Sequence, residues 1–158
     1  MCFKILFVKI LKNQFAGIAA AYYGDGGSSP ATFLGVSEYG VYKSSDSGTN
    51  WARVTVNNAD GRPEAPNDFE IGADNMLWMS TTRNVYGDGG GRIYNSTDGT
   101  TFTLKHTITG GRRTEIAASK TNANTIYVLG EVITLDVSDT KIAPFVSLLK
   151  TTDAFATA

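Results

Sequence analysis

Acidic side chains on short strand-like runs offer the first candidate chemistry in this chain. Asp68 and Glu70 stand two residues apart, and the alternation of side chains along a strand places both on one face. Arg113 and Glu115 repeat that spacing 45 residues later. Two carboxylates held a few ångströms apart can act as acid and as nucleophile or base on a glycosidic bond. A pair drawn from Asp68, Glu70 and Glu115 is therefore a candidate catalytic site.

A structural role for the same charges is the alternative, and we favour it. The dipeptides Glu70-Ile71 and Glu115-Ile116 stand at matching places in two similar stretches of the chain. A residue type that recurs at the same place in each repeat is expected to have a structural role. Arg113 lies on the same strand face as Glu115 and could form an ion pair with it. The sequence therefore predicts ion pairing here, with catalysis as the competing hypothesis.

A second group of residues could bind a ligand without catalysis. Tyr86 stands in a polar loop, where its ring could stack on a sugar, and Arg113 offers a charge. No metal site is expected, because His106 is the only histidine and Cys2 the only cysteine. No cofactor is expected either, since the glycine-rich stretch 87–91 is not followed by a helical pattern.

The composition narrows the class of partner. The chain has 15 acidic and 14 basic residues, and the two signs are interleaved. The sequence lacks the stripe of basic residues that would indicate a nucleic-acid partner. It also has no apolar stretch long enough to span a membrane. The apolar residues 1–12, interrupted by lysines, could be a signal sequence, an extra strand or a short helix.

A recurring phrase identifies the elements that must position these side chains. Residues 44–51 read SSDSGTNW, residues 96–102 read STDGTTF, and residues 150–153 begin the phrase again with KTTD. The three aspartates, Asp46, Asp98 and Asp153, are 52 and 55 residues apart. A period of this size is typical of a repeat architecture.

Each copy of the phrase has the chemistry of a hairpin turn. It follows a short apolar run, and the two complete copies precede a second alternating run. An aspartate can accept hydrogen bonds from backbone N–H groups just ahead of it, and Gly48 or Gly99 can adopt positive φ. We predict that Asp46 and Asp98 hold turns and have no catalytic role, and that the closing aromatic residue is buried.

The phrase resembles the Asp-box, or BNR repeat, whose pattern is Ser-x-Asp-x-Gly-x-x-Trp. The second copy is one residue shorter and has phenylalanine in place of tryptophan. The residues that carry the resemblance are Ser44, Asp46, Gly48, Trp51, Ser96, Asp98, Gly99, Phe102 and Asp153. Families with this repeat include sialidases, xyloglucan-cleaving glycosidases and sortilin-type receptors. The resemblance implies that each box lies between the third and fourth strands of a β-propeller blade.

The resemblance further implies an all-β fold, a β-propeller segment of about three four-stranded antiparallel blades. The predicted boundaries are 1–13 for an N-terminal extension and 14–56, 67–109 and 112–158 for the blades of a partial propeller over residues 14–158. The last blade lacks its fourth strand. The first blade uses residues 31–36 as its second strand, and the third has a loop insertion around residues 130–143.

A closed propeller usually needs four blades or more, so a propeller that includes these three blades would need further blades to close. The remaining blades could come from the same longer chain or from self-association of several copies. An open partial propeller with exposed edges is the third alternative.

The resemblance also implies an extracellular or cell-surface location and a choice between two functions. The first, which we favour, is a non-catalytic segment of a secreted bacterial protein that serves as a scaffold or a glycan- or protein-binding surface. The alternative is a fragment of a glycoside hydrolase, sialidase-like or xyloglucanase-like, with catalytic residues partly or wholly outside this chain. The first strands of propeller blades line the axis, which is where Asp68, Glu70 and Glu115 would lie.

Overall fold

The chain folds as an all-β protein. The computed structural model describes residues 2–10, 13–21, 40–46, 49–84, 87, 89–132 and 145–157, and for residues 2–10, 13–21 and 145 it describes the backbone alone. All helix or strand elements within these residues are β-strands, and they form three antiparallel sheets. In this part of the chain no helix could span a membrane.

Each sheet is built from strands in their order along the chain. The first sheet contains β1 (Cys2–Ile10), β2 (Asn13–Ala21), β3 (Gly40–Ser44) and β4 (Ala52–Val54). The second contains β5 (Ala65–Ile71), β6 (Leu77–Thr82), β7 (Arg92–Ser96) and β8 (Thr103–Thr107). The third contains β9 (Gly111–Ala118), β10 (Ile126–Val132) and β11 (Phe145–Thr151). Strands that follow one another in the chain pair within each sheet, which is an up-and-down order.

The second sheet lies between the other two, and this position explains its composition. All six residues of β6 are buried, because both faces of that strand are covered. Leu77 and Met79 belong to a core cluster with Val41 and Val54 of the first sheet. Trp78, which alternation places on the opposite face, belongs to a second cluster with the third sheet. A continuous apolar run is expected for a strand that is buried on both sides.

The second and third sheets are also joined by polar side chains. The carbonyl oxygen of Thr114 on β9 accepts hydrogen bonds from Asn67 Nδ2 at 2.7 Å and from Ser80 Oγ at 2.5 Å. The carboxylate of Asp68 accepts a bond from the N–H of Ile116 at 3.2 Å. These bonds satisfy buried polar groups and fix the position of β9 against β5 and β6.

The register of the third sheet differs from the sequence interpretation. Asp68 pairs with Ser80 in the second sheet, and Glu115 pairs with Leu129 at the corresponding place in the third. Glu70 therefore corresponds to Ala117, not to Glu115. The turn between β9 and β10 is two residues longer than the turn between β5 and β6, seven residues against five, so the similar dipeptides are displaced by two. A displacement of two residues leaves each side chain on its original face.

The N-terminal residues form a strand, which is one of the three alternatives for residues 1–12, and this strand belongs to the first sheet although the predicted boundaries set residues 1–13 apart as an extension. Cys2–Ile10 forms β1 and pairs along its length with β2, from Cys2 opposite Ala21 to Ile10 opposite Asn13. The first sheet is therefore completed by this strand. Residues 31–36, predicted as a strand, lie outside the described residues, as does most of the loop predicted at 130–143.

Candidate functional site

The three aspartates of the recurring phrase lie in turns that follow the third strand of each sheet. The first turn, residues 44–51, joins β3 to β4, and the second, residues 96–102, joins β7 to β8. The third turn, residues 151–157, follows β11. In all three, a hydroxyl-bearing residue at the end of the strand hydrogen-bonds to the aspartate two positions ahead.

In the first turn, Asp46 is held by hydrogen bonds from Asn50, four positions ahead, and from Ser44, two positions before it. The backbone N–H of Asn50 donates to Asp46 Oδ1 at 2.9 Å, and Asn50 Nδ2 donates to Oδ2 at 2.6 Å. Ser44 Oγ donates to Oδ1 at 2.7 Å. These donors, the Asn50 N–H first, favour the anion and lower the pKa of Asp46 to about 2. Gly48 lies outside the described residues.

In the second turn, the carboxylate accepts hydrogen bonds from two backbone N–H groups in addition to the bond from Ser96 Oγ. Asp98 Oδ1 accepts from Thr101 N at 2.8 Å and from Thr100 N at 2.7 Å, and these bonds lower the pKa of Asp98. Ser96 Oγ accepts from Gly99 N at 2.8 Å. Gly99 has φ of 65°, a left-handed conformation that costs glycine little because it has no Cβ.

The third turn closes in the same way without a glycine. Asp153 accepts from the hydroxyl of Thr151 at 2.6 Å, from Phe155 N at 3.1 Å and from Thr157 N at 3.1 Å. The Thr151 bond contributes most to lowering the pKa of Asp153. Ala154 and Phe155 both adopt positive φ, 54° and 57°. Non-glycine residues rarely take this conformation, so the aspartate bonds hold the turn against backbone strain.

Aromatic side chains anchor two of the turns. Phe102, which ends the second turn, packs against the core between the first and second sheets. Phe155 of the third turn packs against the core between the second and third sheets. Its ring stacks on His106 at 4.9 Å between centroids and lies 6.2 Å from the ring of Trp78. Trp51, which ends the first turn, is half-buried.

The candidate catalytic carboxylates each have a partner of their own. Glu70 Oε2 lies 2.7 Å from Lys120 Nζ, which also donates to the carbonyl of Ile71. Glu115 Oε1 accepts from both Nη2 and Nε of Arg113, at 2.5 and 3.0 Å. Asp68 accepts from the backbone of the third sheet, as described above. The three carboxylates thus bond to three separate partners, and Glu70 pairs with a lysine instead of Arg113.

A buried cluster that sequence reasoning missed lies at the start of β5. The side chain of Glu64 is 1% exposed, and its Oε1 accepts from Arg92 Nη1 and from the hydroxyl of Tyr94, both at 2.8 Å. Its other oxygen, Oε2, has no hydrogen-bond partner. Gly89 packs over that oxygen so closely that a Cβ there would lie 2.9 Å from it. The sequence carried no signal for this cluster, because its members are 28 and 30 residues apart.

The cluster is suited to holding structure more than to reaction. Burial, then the charge of Glu64, raises the pKa of Tyr94 well above its usual range. A phenol in this state stays protonated and donates its hydrogen bond to the carboxylate, which makes it a poor nucleophile. Arg92 balances the buried negative charge, which would otherwise be costly.

The structure describes the residues expected to bind a ligand only in part, because Tyr86 lies outside the described residues. Residues 89–91 pack on the start of β9, where Gly91 N donates to the carbonyl of Arg112 at 3.2 Å. Arg113 follows directly, with about half of its side chain exposed. A Cβ added at Gly90 would lie 2.5 Å from the Arg112 carbonyl oxygen, which shows how closely residues 89–91 approach β9.

Three surface cavities have lining residues that the structure describes; the smallest of the three, of about 210 Å³, lies between β4 and Pro63, and two are larger. One, of about 440 Å³, is lined mainly by Lys43 and the residues around β4. The other, of about 230 Å³, lies on the third sheet and is lined by Arg113, Glu115, Leu129, Glu131 and Val146. Within the described residues, no three histidine, cysteine or acidic side chains are grouped as metal ligands would be.

Comparisons of the chain with known protein families, with curated proteins and with solved structures found no match.

Proposed function

We propose that this chain is a non-catalytic β-propeller segment of the Asp-box class, which serves as a scaffold and presents a surface for a glycan or a protein. The observation that carries the proposal is the position of the three turns. Each follows the third strand of its sheet, and each uses its aspartate as the acceptor for its own backbone. An extracellular location in a bacterial protein is part of the same proposal.

The arrangement of the sheets supports the propeller part of the proposal. Blades of a propeller are antiparallel sheets with strands in chain order, stacked face to face around an axis. The three sheets here have that strand order, and the first strands β5 and β9 lie beside each other. The remaining blades would come from a longer chain or from further copies of this one.

The charges of the inner strands support the non-catalytic part. A glycosidase needs two carboxylates free to act on one bond. Asp68, Glu70 and Glu115 instead bond to a backbone N–H, a lysine and an arginine. In each of these interactions the carboxylate accepts a hydrogen bond or pairs with a basic side chain, which is a structural role.

The ligand surface in this proposal is the loop end around Tyr86 and Arg113. Loops between strands carry the binding residues in scaffolds of this kind, while the strands hold them in place. The glycine-rich approach of residues 89–91 to β9 fixes the loop next to Arg113. An exposed guanidinium can donate hydrogen bonds to the oxygens of a sugar or of a protein ligand.

One observation favours the alternative, a glycoside hydrolase fragment. Tyr94 and Glu64 form a hydrogen-bonded pair of the two residue types that a sialidase-like enzyme uses for its nucleophile, with Arg92 beside them. Tyr94 is 5% exposed and belongs to the core between the first and second sheets, so a substrate would need to displace that packing. We therefore keep hydrolysis as the second candidate.

Binding and hydrolysis can be separated on the same protein. We expect the chain to bind members of a glycan array or a protein ligand, and to leave a panel of chromogenic glycosides intact. Arg113→Ala should weaken binding, whereas Arg53→Ala, which removes an exposed arginine on β4, should leave binding unchanged. Hydrolysis that is lost in Tyr94→Phe or Glu70→Gln would favour the enzyme and contradict the proposal.

A further inference from the structure

The third sheet has an exposed apolar face. Four of the five large hydrophobic side chains described as exposed lie on β10 and β11: Tyr127, Leu129, Val146 and Leu148. Leu148 is 71% exposed and Val146 66%. The cavity of about 230 Å³ lies on the same face. An apolar patch of this kind on one face of a sheet is typical of an interaction surface.

The second sheet shows what such a face binds in this fold. Measured from the turn, Tyr127 and Leu148 of the third sheet occupy the positions of Trp78 and Ile93 in the second. Trp78 and Ile93 are 1% and 0% exposed, because the third sheet packs on them. The same face is thus covered by a following sheet in one unit and bare in the next.

A lysine side chain also connects one sheet to the next. Lys43, the residue before the first turn, reaches the turn of the second sheet. Its Nζ donates to the carbonyl of Asp98 at 2.7 Å and to Thr100 Oγ1 at 3.1 Å. Lys150 holds the corresponding position before the third turn, and its Nζ lies over the ring of Tyr127, 5.7 Å from the centroid. Lys150 is therefore placed to reach a turn of the same kind on a following sheet.

We propose that the exposed face of the third sheet binds the first sheet of a second copy of this chain, head to tail, with Lys150 donating to the turn at residues 44–51 of that copy. The proposal rests on the proposed function and names a partner for it. The acceptors would be the Asp46 carbonyl and Thr49 Oγ1 of the second copy, which correspond to Asp98 and Thr100.

The first turn is the expected acceptor for Lys150 because the other two turns are excluded. The second turn already receives Lys43, and the third belongs to the same sheet as Lys150. The exposed carboxylate of Asp46 adds a negative charge where the Lys150 ammonium would arrive. A contact between two different surfaces of one chain is heterologous, and it closes into a ring when the rotation per copy permits.

Sedimentation velocity of the full chain over a concentration series tests the proposal. We expect concentration-dependent oligomers, and we expect Leu148→Glu to raise the dissociation constant by about tenfold or more. Lys150→Glu, a second exposed position, should weaken association as well. The matched control is Leu104→Glu, which places the same charge at a 48% exposed leucine on β8 and should change the constant by less than about twofold.

Cross-linking decides the orientation. A zero-length carbodiimide applied to a mixture of ¹⁵N-labelled and unlabelled chains should join Lys150 of one copy to Asp46 of another. Intermolecular links from Lys150 to Glu115 or Glu131 would mean that two third sheets face each other, and would overturn the proposal. A monomer at all concentrations, or equal losses from Leu148→Glu and Leu104→Glu, would also overturn it. A monomer that still binds its glycan or protein ligand would leave the proposed function standing.

Discussion

At the scale of single residues, the aspartates of the turns satisfy their hydrogen bonds within four positions of themselves. Asp46 reaches Asn50, and Asp153 reaches Thr157. Because donor and acceptor are close in the chain, this chemistry can be predicted from the sequence. The cluster of Glu64, Arg92 and Tyr94 could not, because its members meet only when β5 and β7 join one sheet.

The turn aspartates should make stability depend on acid. Their pKa values are lowered in the folded state, to about 2 for Asp46 from an ordinary 3.8, so their contribution is present above pH 3.8 and is lost as the pH falls toward 2. Urea midpoints measured between pH 6 and pH 2 should fall mainly in that window. Asp98→Asn should flatten the fall. Parallel curves for the variant and the parent protein would contradict this role.

The buried Glu64 should matter far more to folding than a surface glutamate with a similar ion pair. Glu64→Gln leaves Arg92 without its carboxylate and should lower the free energy of unfolding by about 3 kcal/mol. Glu70→Gln, which loses an exposed pair with Lys120, should cost about 1 kcal/mol or less. Urea denaturation of both variants gives the comparison. Similar losses of unfolding free energy in the two variants would show that the buried pair stabilises the fold no more than the exposed pair does.

At the scale of elements, the sequence predicts strands better than their pairing. The runs at residues 76–80 and 113–118 fall inside or across β6 and β9, since apolar and alternating patterns are local. The partner of residues 2–10 could not be predicted, because the sequence of β1 is compatible with a signal sequence, an extra strand or a helix, and only pairing with β2 decides among them. The two-residue register difference in the third sheet arose from turn length, which dipeptide similarity does not report.

Two glycines of the third sheet allow a test of how closely the sheets approach. A Cβ at Gly111 would lie 2.6 Å from the Cα of Gly91, which is backbone, while one at Gly130 would lie 2.8 Å from Ile108 Cδ1, the end of a flexible side chain. Gly111→Ala should therefore cost about 1–3 kcal/mol of stability, and Gly130→Ala clearly less. Thermal unfolding of the two variants measures the difference. A larger loss at Gly130 would mean that the side chains, not the backbones, set the spacing.

At the scale of the whole molecule, three sheets stack with two apolar cores between them. The second sheet contributes to both cores, with Leu77 and Met79 on one side and Trp78 and Ile93 on the other. The all-β class followed from the repeated turns and alternating runs. Which face of each sheet would be covered did not follow, because the cover comes from a neighbouring unit more than 40 residues away.

The chain order of the strands has a consequence for how the protein forms. Every strand in the described sheets pairs with one that precedes or follows it directly, so a sheet needs no residue from elsewhere in the chain to be hydrogen-bonded. Local pairing of this kind favours rapid folding, and during synthesis each sheet can assemble as soon as its last strand has left the ribosome. Duplication of a gene segment that encodes one sheet would then add a further sheet without changing the strand pairing of the existing sheets.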